Sequence, residues 1–485
     1  MMKTIKPINY ILLSIAILYV LPIILANTYY LDDMGRAILG YSWGHDGRFI
    51  ASLVAKLLSL QDIAISLYPF SIIISAIIIF ISGTILAITL GLYTPSKQFH
   101  ISHLTCLILL IPPFLLENLA FRFDSLYMAL SIFLAILPIY YYQHKFFILI
   151  SSICLFLIFG LYQISSMLYF SALLCLQISH SINNKKILWK VLFYSLISFF
   201  LAFAAYKIIL HFRGYTIERA ALLPMSINNM HIIINRLSDY INIYKTLFIS
   251  SKYLTATALL IIGAICGLSI KLYKIDSMLV RLKQILIIIL CILGVMICSV
   301  FPNILLETMW LTARTFIVFP IFIIILAIFI QPLFTHQKKL LKYIATIAYI
   351  ILFSYSFVLS SIFGSILKNN DDYNNLLATE ITHKLTSVVP DEQIELVIAG
   401  SAPPAIRSLL LYNKYPIMHL LVPNHLSEDQ YWGVKSLSTY YWFNWSTNKE
   451  ELILQKCDFP LLESNHFYQI RQKENTFIID FDKCI

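Results

Sequence analysis

Long apolar runs constrain this chain more than any other feature. Runs of about 18 or more apolar residues, the length that crosses roughly 30 Å of hydrocarbon, recur along much of its 485 residues. Only 12% of the residues are charged, against about a quarter in ordinary soluble proteins. The mean hydropathy is +0.80. The sequence therefore predicts a polytopic, α-helical membrane protein.

We predict eleven spans. The first follows Lys3 and Lys6, is longer than a signal-peptide core and lacks a small-residue cleavage site, which indicates an uncleaved helix. The fifth and sixth are separated only by a polar interruption at 162–166. The approximate bounds are 8–26, 64–92, 102–116, 125–141, 146–162, 164–179, 188–210, 253–271, 284–302, 315–333 and 342–365.

The distribution of positive charge orients these spans. Cytoplasmic loops are enriched in Lys and Arg, and with the N-terminus in the cytoplasm fourteen basic residues fall on that side, whereas only Arg122 and Arg314 fall in short outside loops. The net charge of +10 is thus explained without nucleic acid, and the C-terminus is predicted to lie outside. The fourteen are Lys3, Lys6, Lys97, Lys145, Lys185, Lys186, Lys190, Lys271, Lys274, Arg281, Lys283, Lys338, Lys339 and Lys342.

Two outside loops are long, 27–63 and 211–252. Within the second, Ile232 to Leu247 shows apolar residues at helical spacing beside charged ones. This pattern suits a helix lying along the membrane interface or, equally, an ordinary solvent-facing helix.

The composition becomes polar after about residue 366, so we divide the chain into a membrane domain, 1–366, and a C-terminal domain, 367–485. Three short apolar runs there predict strands and hence a small mixed α/β domain: Leu396–Ala399, Met418–Val422 and Phe477–Ile479. Six of the eight cysteines lie in apolar spans. Cys457 and Cys484 lie in the tail, and whether they form a disulfide stays open, because sequence does not give their separation.

The outside loop 27–63 is the first candidate site. Asp32, Asp33 and Arg36 are followed there by Trp43, His45 and Arg48. Arginine binds phosphate in bidentate fashion, and a carboxylate can act as a general base towards a hydroxyl. The alternative is a solvated loop with local ion pairs.

Other outside loops repeat this chemistry. Glu117, Arg122 and Asp124 follow the third span, Tyr162 and Gln163 mark the break after the fifth, and Arg314 precedes the tenth. Because the topology puts these positions on one side of the membrane, we expect them to converge on one cavity. The Asp480-Phe481-Asp482 sequence imitates a metal-binding motif of nucleotide-sugar transferases but has no nucleotide fold around it.

The segment from Tyr29 to Leu53 contains Tyr-Leu-Asp-Asp-Met-Gly-Arg and Gly-Tyr-Ser-Trp-Gly-His-Asp-Gly-Arg. It resembles the phage-type serotype-converting O-antigen glucosyltransferases of Gram-negative bacteria, and the Glu117–Asp124 run and the Tyr162-Gln163 pair fit as well. This family implies a glycosyltransferase of the GT-C class in the bacterial inner membrane, with a periplasmic C-terminal domain.

The resemblance further implies a glucose donor carried on undecaprenyl phosphate, made by a synthase and turned outward by a flippase, and a lipid-linked O-antigen acceptor. It assigns the base to Asp32 or Asp33. By charge and side we assign Arg36, Arg48, Arg122 and Arg314 to the donor phosphate, and Trp43, His45, Glu117, Asp124, Tyr162 and Gln163 to substrate binding. No metal cofactor is required, although paired carboxylates can hold a divalent ion.

Other functions fit a polytopic protein. A transporter or flippase for lipid-linked sugars would need a polar path through spans that mostly lack ionisable residues. An O-antigen polymerase or ligase typically has its main large loop between later spans and lacks a terminal soluble domain. A structural scaffold would tolerate the loss of Asp32 and Asp33.

Overall fold

A computed structural model describes residues 7–94, 98–215, 221–224, 226–388, 393–428 and 432–484. Lys3, Lys6 and Lys97, used above for orientation, lie outside these ranges. The described chain is mostly helical and forms two compact units. The first comprises Met1–Ile24 and Tyr41–Ser361, and the second comprises Leu25–Gly40 and Ile362–Ile485.

Fourteen α-helices precede the C-terminal sheet in the described residues. They are α1 Pro7–Ala26, α2 Asp32–Leu39, α3 Phe49–Ser59, α4 Phe70–Thr89, α5 Leu115–Ala120, α6 Ser125–Tyr140, α7 Phe147–Leu161, α8 Ser165–Ile182, α9 Trp189–Phe212, α10 Ile227–Lys245, α11 Tyr253–Tyr273, α12 Met278–Val300, α13 Phe319–Phe334 and α14 Lys339–Val388.

Six described helices are long and apolar enough to cross a membrane: α1, α4, α9, α11, α12 and α14. The helices α6, α7 and α13 are apolar but shorter. The chain is therefore a membrane protein, while the count of eleven spans stays a prediction.

The predicted break between the fifth and sixth spans is confirmed, since α7 ends at Leu161 and α8 begins at Ser165. The third predicted span, 102–116, is wrong as a continuous helix. A 3₁₀ helix covers Ile101–Leu107, and only the short α5 follows. Pro112 and Pro113 lie between them, and proline has no N–H to continue a helix.

A five-stranded sheet forms the centre of the second unit. Its strands are β1 Glu395–Ala399, β2 Asn444–Trp445, β3 Leu461–Ser464, β4 Gln469–Lys473 and β5 Thr476–Asp480. They are arranged in the order β2-β1-β5-β4-β3, with β1 parallel to β2 and β5 and β4 antiparallel to its two neighbours.

Helices cover the centre of this sheet, so both faces of β1 are buried, whereas the edge strand β3 is largely exposed. In β1, Leu396 and Ile398 pack into one apolar cluster with Leu377 and Ile381 of α14, whereas Val397 and Ala399 face a second cluster. Alternation of side chains along a strand produces this division. The remaining helices are α15 Ile406–Lys414, α16 Met418–Leu421, α17 Trp432–Leu437 and α18 Lys449–Leu454.

Two of the three predicted strands are confirmed as β1 and β5. The third, Met418–Val422, is wrong, because residues 418–421 form the helix α16. A short buried apolar run has no periodicity that distinguishes strand from helix. Cys457 and Cys484 form a disulfide, with their Cα atoms 5.7 Å apart.

Candidate functional site

The acidic segment of the first candidate loop is helical. Asp32 and Asp33 open α2, and the Asp33 carboxylate accepts a hydrogen bond from the backbone N–H of Tyr30 at 3.4 Å. Carboxylates are favourable in this first turn, where backbone N–H groups lack intrahelical partners. Asp33 is fully buried, and Asp32 is partly exposed.

The second compact unit includes α2. The Tyr30 hydroxyl donates to the Leu421 carbonyl oxygen at 2.7 Å, and α2 packs against α17. Arg36 is 3% exposed. The helix that carries Asp32, Asp33 and Arg36 thus belongs to the same compact unit as the C-terminal sheet. The sequence did not reveal this association.

The first unit brings several of the predicted residues together. The Asp124 carboxylate accepts a hydrogen bond from the Trp43 indole N–H at 2.6 Å and pairs with the Arg48 guanidinium at 3.6 Å. Arg48 also lies over the ring of Tyr162, 5.0 Å from its centroid. The break between α7 and α8 therefore supplies the aromatic face that holds this arginine.

A second arginine continues the same network. The Tyr162 hydroxyl donates to the Arg314 carbonyl oxygen at 3.0 Å. Glu117 accepts the backbone N–H of Arg314 at 2.7 Å and pairs with its guanidinium at 3.7 Å. We call Trp43, Arg48, Glu117, Asp124, Tyr162 and Arg314 the arginine–carboxylate cluster.

Tyr206 is a neighbour that the sequence did not single out. The Gln163 side-chain amide donates to the Asp46 carbonyl oxygen at 3.0 Å and lies 3.3 Å from the Tyr206 hydroxyl. That hydroxyl donates to the Gly47 carbonyl oxygen at 3.3 Å. The sequence does not predict these hydrogen bonds, because a tyrosine inside an apolar span is indistinguishable from an ordinary packing residue.

Two predicted residues make different contacts. Arg122 is buried over the ring of Tyr68, with 4.3 Å between guanidinium carbon and centroid. His45 meets the ring of Tyr215 edge-on at 6.1 Å.

The cluster contains a buried donor that the described part of the protein does not use. Nε of Arg48 is buried and has no hydrogen-bond partner among the described residues. Buried polar groups are nearly always satisfied, and a guanidinium binds the oxygens of carboxylates and phosphates most strongly. The arrangement is therefore suited to an anionic ligand flanked by aromatic rings.

The described residues contain no group of three or more His, Cys, Asp or Glu side chains that could hold a metal ion. In the Asp480-Phe481-Asp482 sequence, Asp480 is fully buried and pairs with Lys456 at 2.7 Å. Its backbone belongs to the central strand β5. Asp480 thus serves the packing of the sheet.

Apolar helices whose connecting segments carry paired arginines and carboxylates define a polytopic membrane protein with a polar site between its helices. A family model described as "Glucosyl transferase GtrII" matches residues 21–331. The chain belongs to this family, which confirms the family predicted from the Tyr29–Leu53 segment. The match includes every predicted site residue from Asp32 to Arg314.

A protein of Salmonella phage P22, described as an uncharacterized 55.3 kDa protein in the gtrB 5′ region, is 26% identical over 257 residues. The alignment covers 50% of this chain and 51% of the phage protein. The chain thus spans about half the length of the curated relative it matches. No solved structure matches.

Proposed function

We propose that this chain is a glycosyltransferase that moves glucose from undecaprenyl-phosphate-glucose to a sugar of lipid-linked O-antigen repeat units. The reaction takes place at the periplasmic face of the bacterial inner membrane and changes the serotype. The observation that carries the proposal is the arginine–carboxylate cluster, with its unused Arg48 donor. The phage relative, named after the gtrB region, supports the link to O-antigen modification.

Arg48 and Arg314 contact the phosphate of the donor. Each guanidinium is held by a buried carboxylate and a ring, Asp124 and Tyr162 for Arg48, Glu117 and Phe121 for Arg314. Arginines fixed in this way need little reorganisation when negative charge develops on the leaving group. Arg36 and Arg122 stay candidates for the same phosphate.

The base is Asp32 or Asp33. A general base must come within hydrogen-bond reach of the hydroxyl that it deprotonates. The partial exposure of Asp32 supports it in this role, while the complete burial of Asp33 and its bond to Tyr30 N–H support a structural role in α2.

The proposed reaction is a single displacement. The carboxylate takes the acceptor hydroxyl proton as that oxygen forms a bond to the anomeric carbon. The bond from this carbon to the phosphate oxygen breaks, and the lipid phosphate leaves with the electron pair. Attack opposite the leaving group inverts the anomeric carbon, so a β-linked donor gives an α-linked product.

The positive-inside pattern supports a cytoplasmic N-terminus and a periplasmic C-terminal domain. On that side the donor must be delivered by a cytoplasmic synthase and a flippase. The disulfide Cys457–Cys484 is consistent with this side, because disulfides persist in the oxidising periplasm.

The test is linkage analysis of O-antigen from cells that make this chain together with the donor synthase and flippase. The unmodified chain should add one glucose per repeat unit. Asp32→Asn should lower transfer by about 10²–10⁴-fold, the usual contribution of a general base.

Asp62→Asn is the matched control, since Asp62 is an exposed carboxylate in the same long loop, with a side chain 96% exposed. It should leave glucosylation intact. An unchanged polysaccharide in cells with the unmodified, correctly inserted chain would refute the transferase proposal. Full activity in both Asp32→Asn and Asp33→Asn would refute the assignment of the base alone.

A further inference from the structure

The helix α10, in the long segment between α9 and α11, divides its surface into three sectors. Four large apolar side chains are exposed at 40–62%: Met230, Ile234, Leu237 and Ile241. At 100° per residue they fall within about 60° of arc on a helical wheel. This apolar stripe borders neither the interior of the protein nor a described partner segment.

The other two sectors differ sharply from the apolar stripe. One is exposed and polar and contains His231, Asn235, Ser238, Asp239, Asn242 and Lys245. The other is turned inward: Tyr240 is 2% exposed, and Tyr240 and Tyr244 pack their rings on Phe316 at 5.2 and 5.6 Å. A helix in water needs only two sectors, one buried and one polar.

The position of α10 in the chain explains the third sector. It lies between two helices that are long and apolar enough to span a membrane, α9 and α11. Only residues 246–252 separate α10 from α11, and a π-helical turn, Thr246–Ser250, packs on both helices. The C-terminal end of α10 is therefore held close to the end of a span.

The inward sector of α10 also forms hydrogen bonds to residues 303–307, which precede Arg314 in the chain. The Arg236 guanidinium donates to the carbonyl oxygens of Ile304, Leu306 and Glu307 at 2.8, 2.6 and 2.9 Å. The Asn303 side-chain amide donates to the Tyr240 hydroxyl at 3.0 Å. Displacement of α10 would thus move the backbone that carries this arginine.

We propose that α10 lies in the plane of the membrane interface, with the apolar stripe in the acyl-chain boundary of the lipid bilayer. An in-plane helix meets protein, hydrocarbon and water on three sides, which is the division seen here. The partner is bulk phospholipid. The inference concerns lipid contact alone and does not depend on the reaction proposed above.

The test uses the full chain in phospholipid nanodiscs. A nitroxide is attached at Ile234→Cys or Ile241→Cys on the apolar stripe, and at Asp239→Cys or Asn242→Cys as controls on the polar sector. The labelled unmodified chain gives the background from its six free cysteines. Apolar-stripe positions should show several-fold more collision with dissolved oxygen than with a water-soluble nickel chelate, and control positions the reverse.

A second measurement needs no substitution. The unmodified chain is irradiated with a phospholipid that carries a diazirine in its acyl chain, and the labelled peptides are identified by mass spectrometry. Label on Met230, Ile234, Leu237 or Ile241 supports lipid contact. The inference is overturned if the diazirine labels α9 and α12 but not α10. It is also overturned if all four nitroxide positions are more accessible to the nickel chelate than to oxygen. Protection of the apolar-stripe positions from both reagents would overturn it as well, and would indicate a protein partner instead of lipid.

Discussion

The ion pair of Arg48 and Asp124 provides the sharpest test of the site. Its nitrogen and oxygen are 3.6 Å apart, with side chains 19% and 7% exposed. Lys56 and Asp62 form a shorter pair, 3.0 Å, but are 48% and 96% exposed. Distance alone would make the second pair stronger, whereas the surrounding dielectric makes it weaker.

The magnitudes follow from Coulomb's law. At 3.6 Å and an effective dielectric near 20, attraction is about 4–5 kcal/mol, whereas at 3.0 Å in water it is about 1.4 kcal/mol. When the carboxylate is removed, the Tyr162 ring 5.0 Å from Arg48 would offset about 1 kcal/mol of the lost attraction. Side-chain relaxation would offset a further part of it. We expect a coupling energy of about 2–3 kcal/mol for Arg48–Asp124 and less than about 1 kcal/mol for Lys56–Asp62.

The assay is a double-mutant cycle on the free energy of unfolding in mixed micelles. The variants are Arg48→Gln, Asp124→Asn and their combination, with Lys56→Gln and Asp62→Asn as the matched cycle. Asparagine at 124 retains an acceptor for the Trp43 indole, so the cycle isolates the charge. Additive effects in the first cycle, within about 0.5 kcal/mol, would refute the view that Asp124 holds Arg48.

Two further predictions concern the C-terminal unit of the full chain. Burial lowers the pKa of His425 to about 4, below the ordinary 6.5, so the unfolded state binds more protons between these values. The free energy of unfolding should therefore fall by about 3 kcal/mol as pH drops from above 6.5 to below 4. Hydrogen exchange of the β1 amides should show this pH dependence in the unmodified chain and in the control His466→Gln, whose histidine is exposed. The pH dependence should be lost in His425→Gln. The disulfide joins residues 27 apart, so Cys457→Ser with Cys484→Ser should destabilise the unit by about 3–4 kcal/mol. Denaturant unfolding of the double variant beside the oxidised parent measures this, and equal midpoints would contradict it.

The sequence determined the features that depend on local composition and periodicity. The apolar runs indicated a helical membrane protein, because they have the length of a transmembrane helix and such a helix satisfies all of its backbone hydrogen bonds internally. The polar residues at 162–166 marked the end of α7, and the helical spacing of 232–247 marked α10. The motif between Tyr29 and Leu53 indicated the glucosyl transferase family.

Only the tertiary structure decided which of these residues meet. Glu117 and Arg314 are 197 positions apart, and the partner of Asp124 among several arginines depends on how helices pack, which periodicity does not encode. The same holds for Tyr206, which reads as an ordinary core residue. The association of α2 with the C-terminal sheet, and the helical state of Met418–Leu421, arise from long-range burial that competes successfully with local preference.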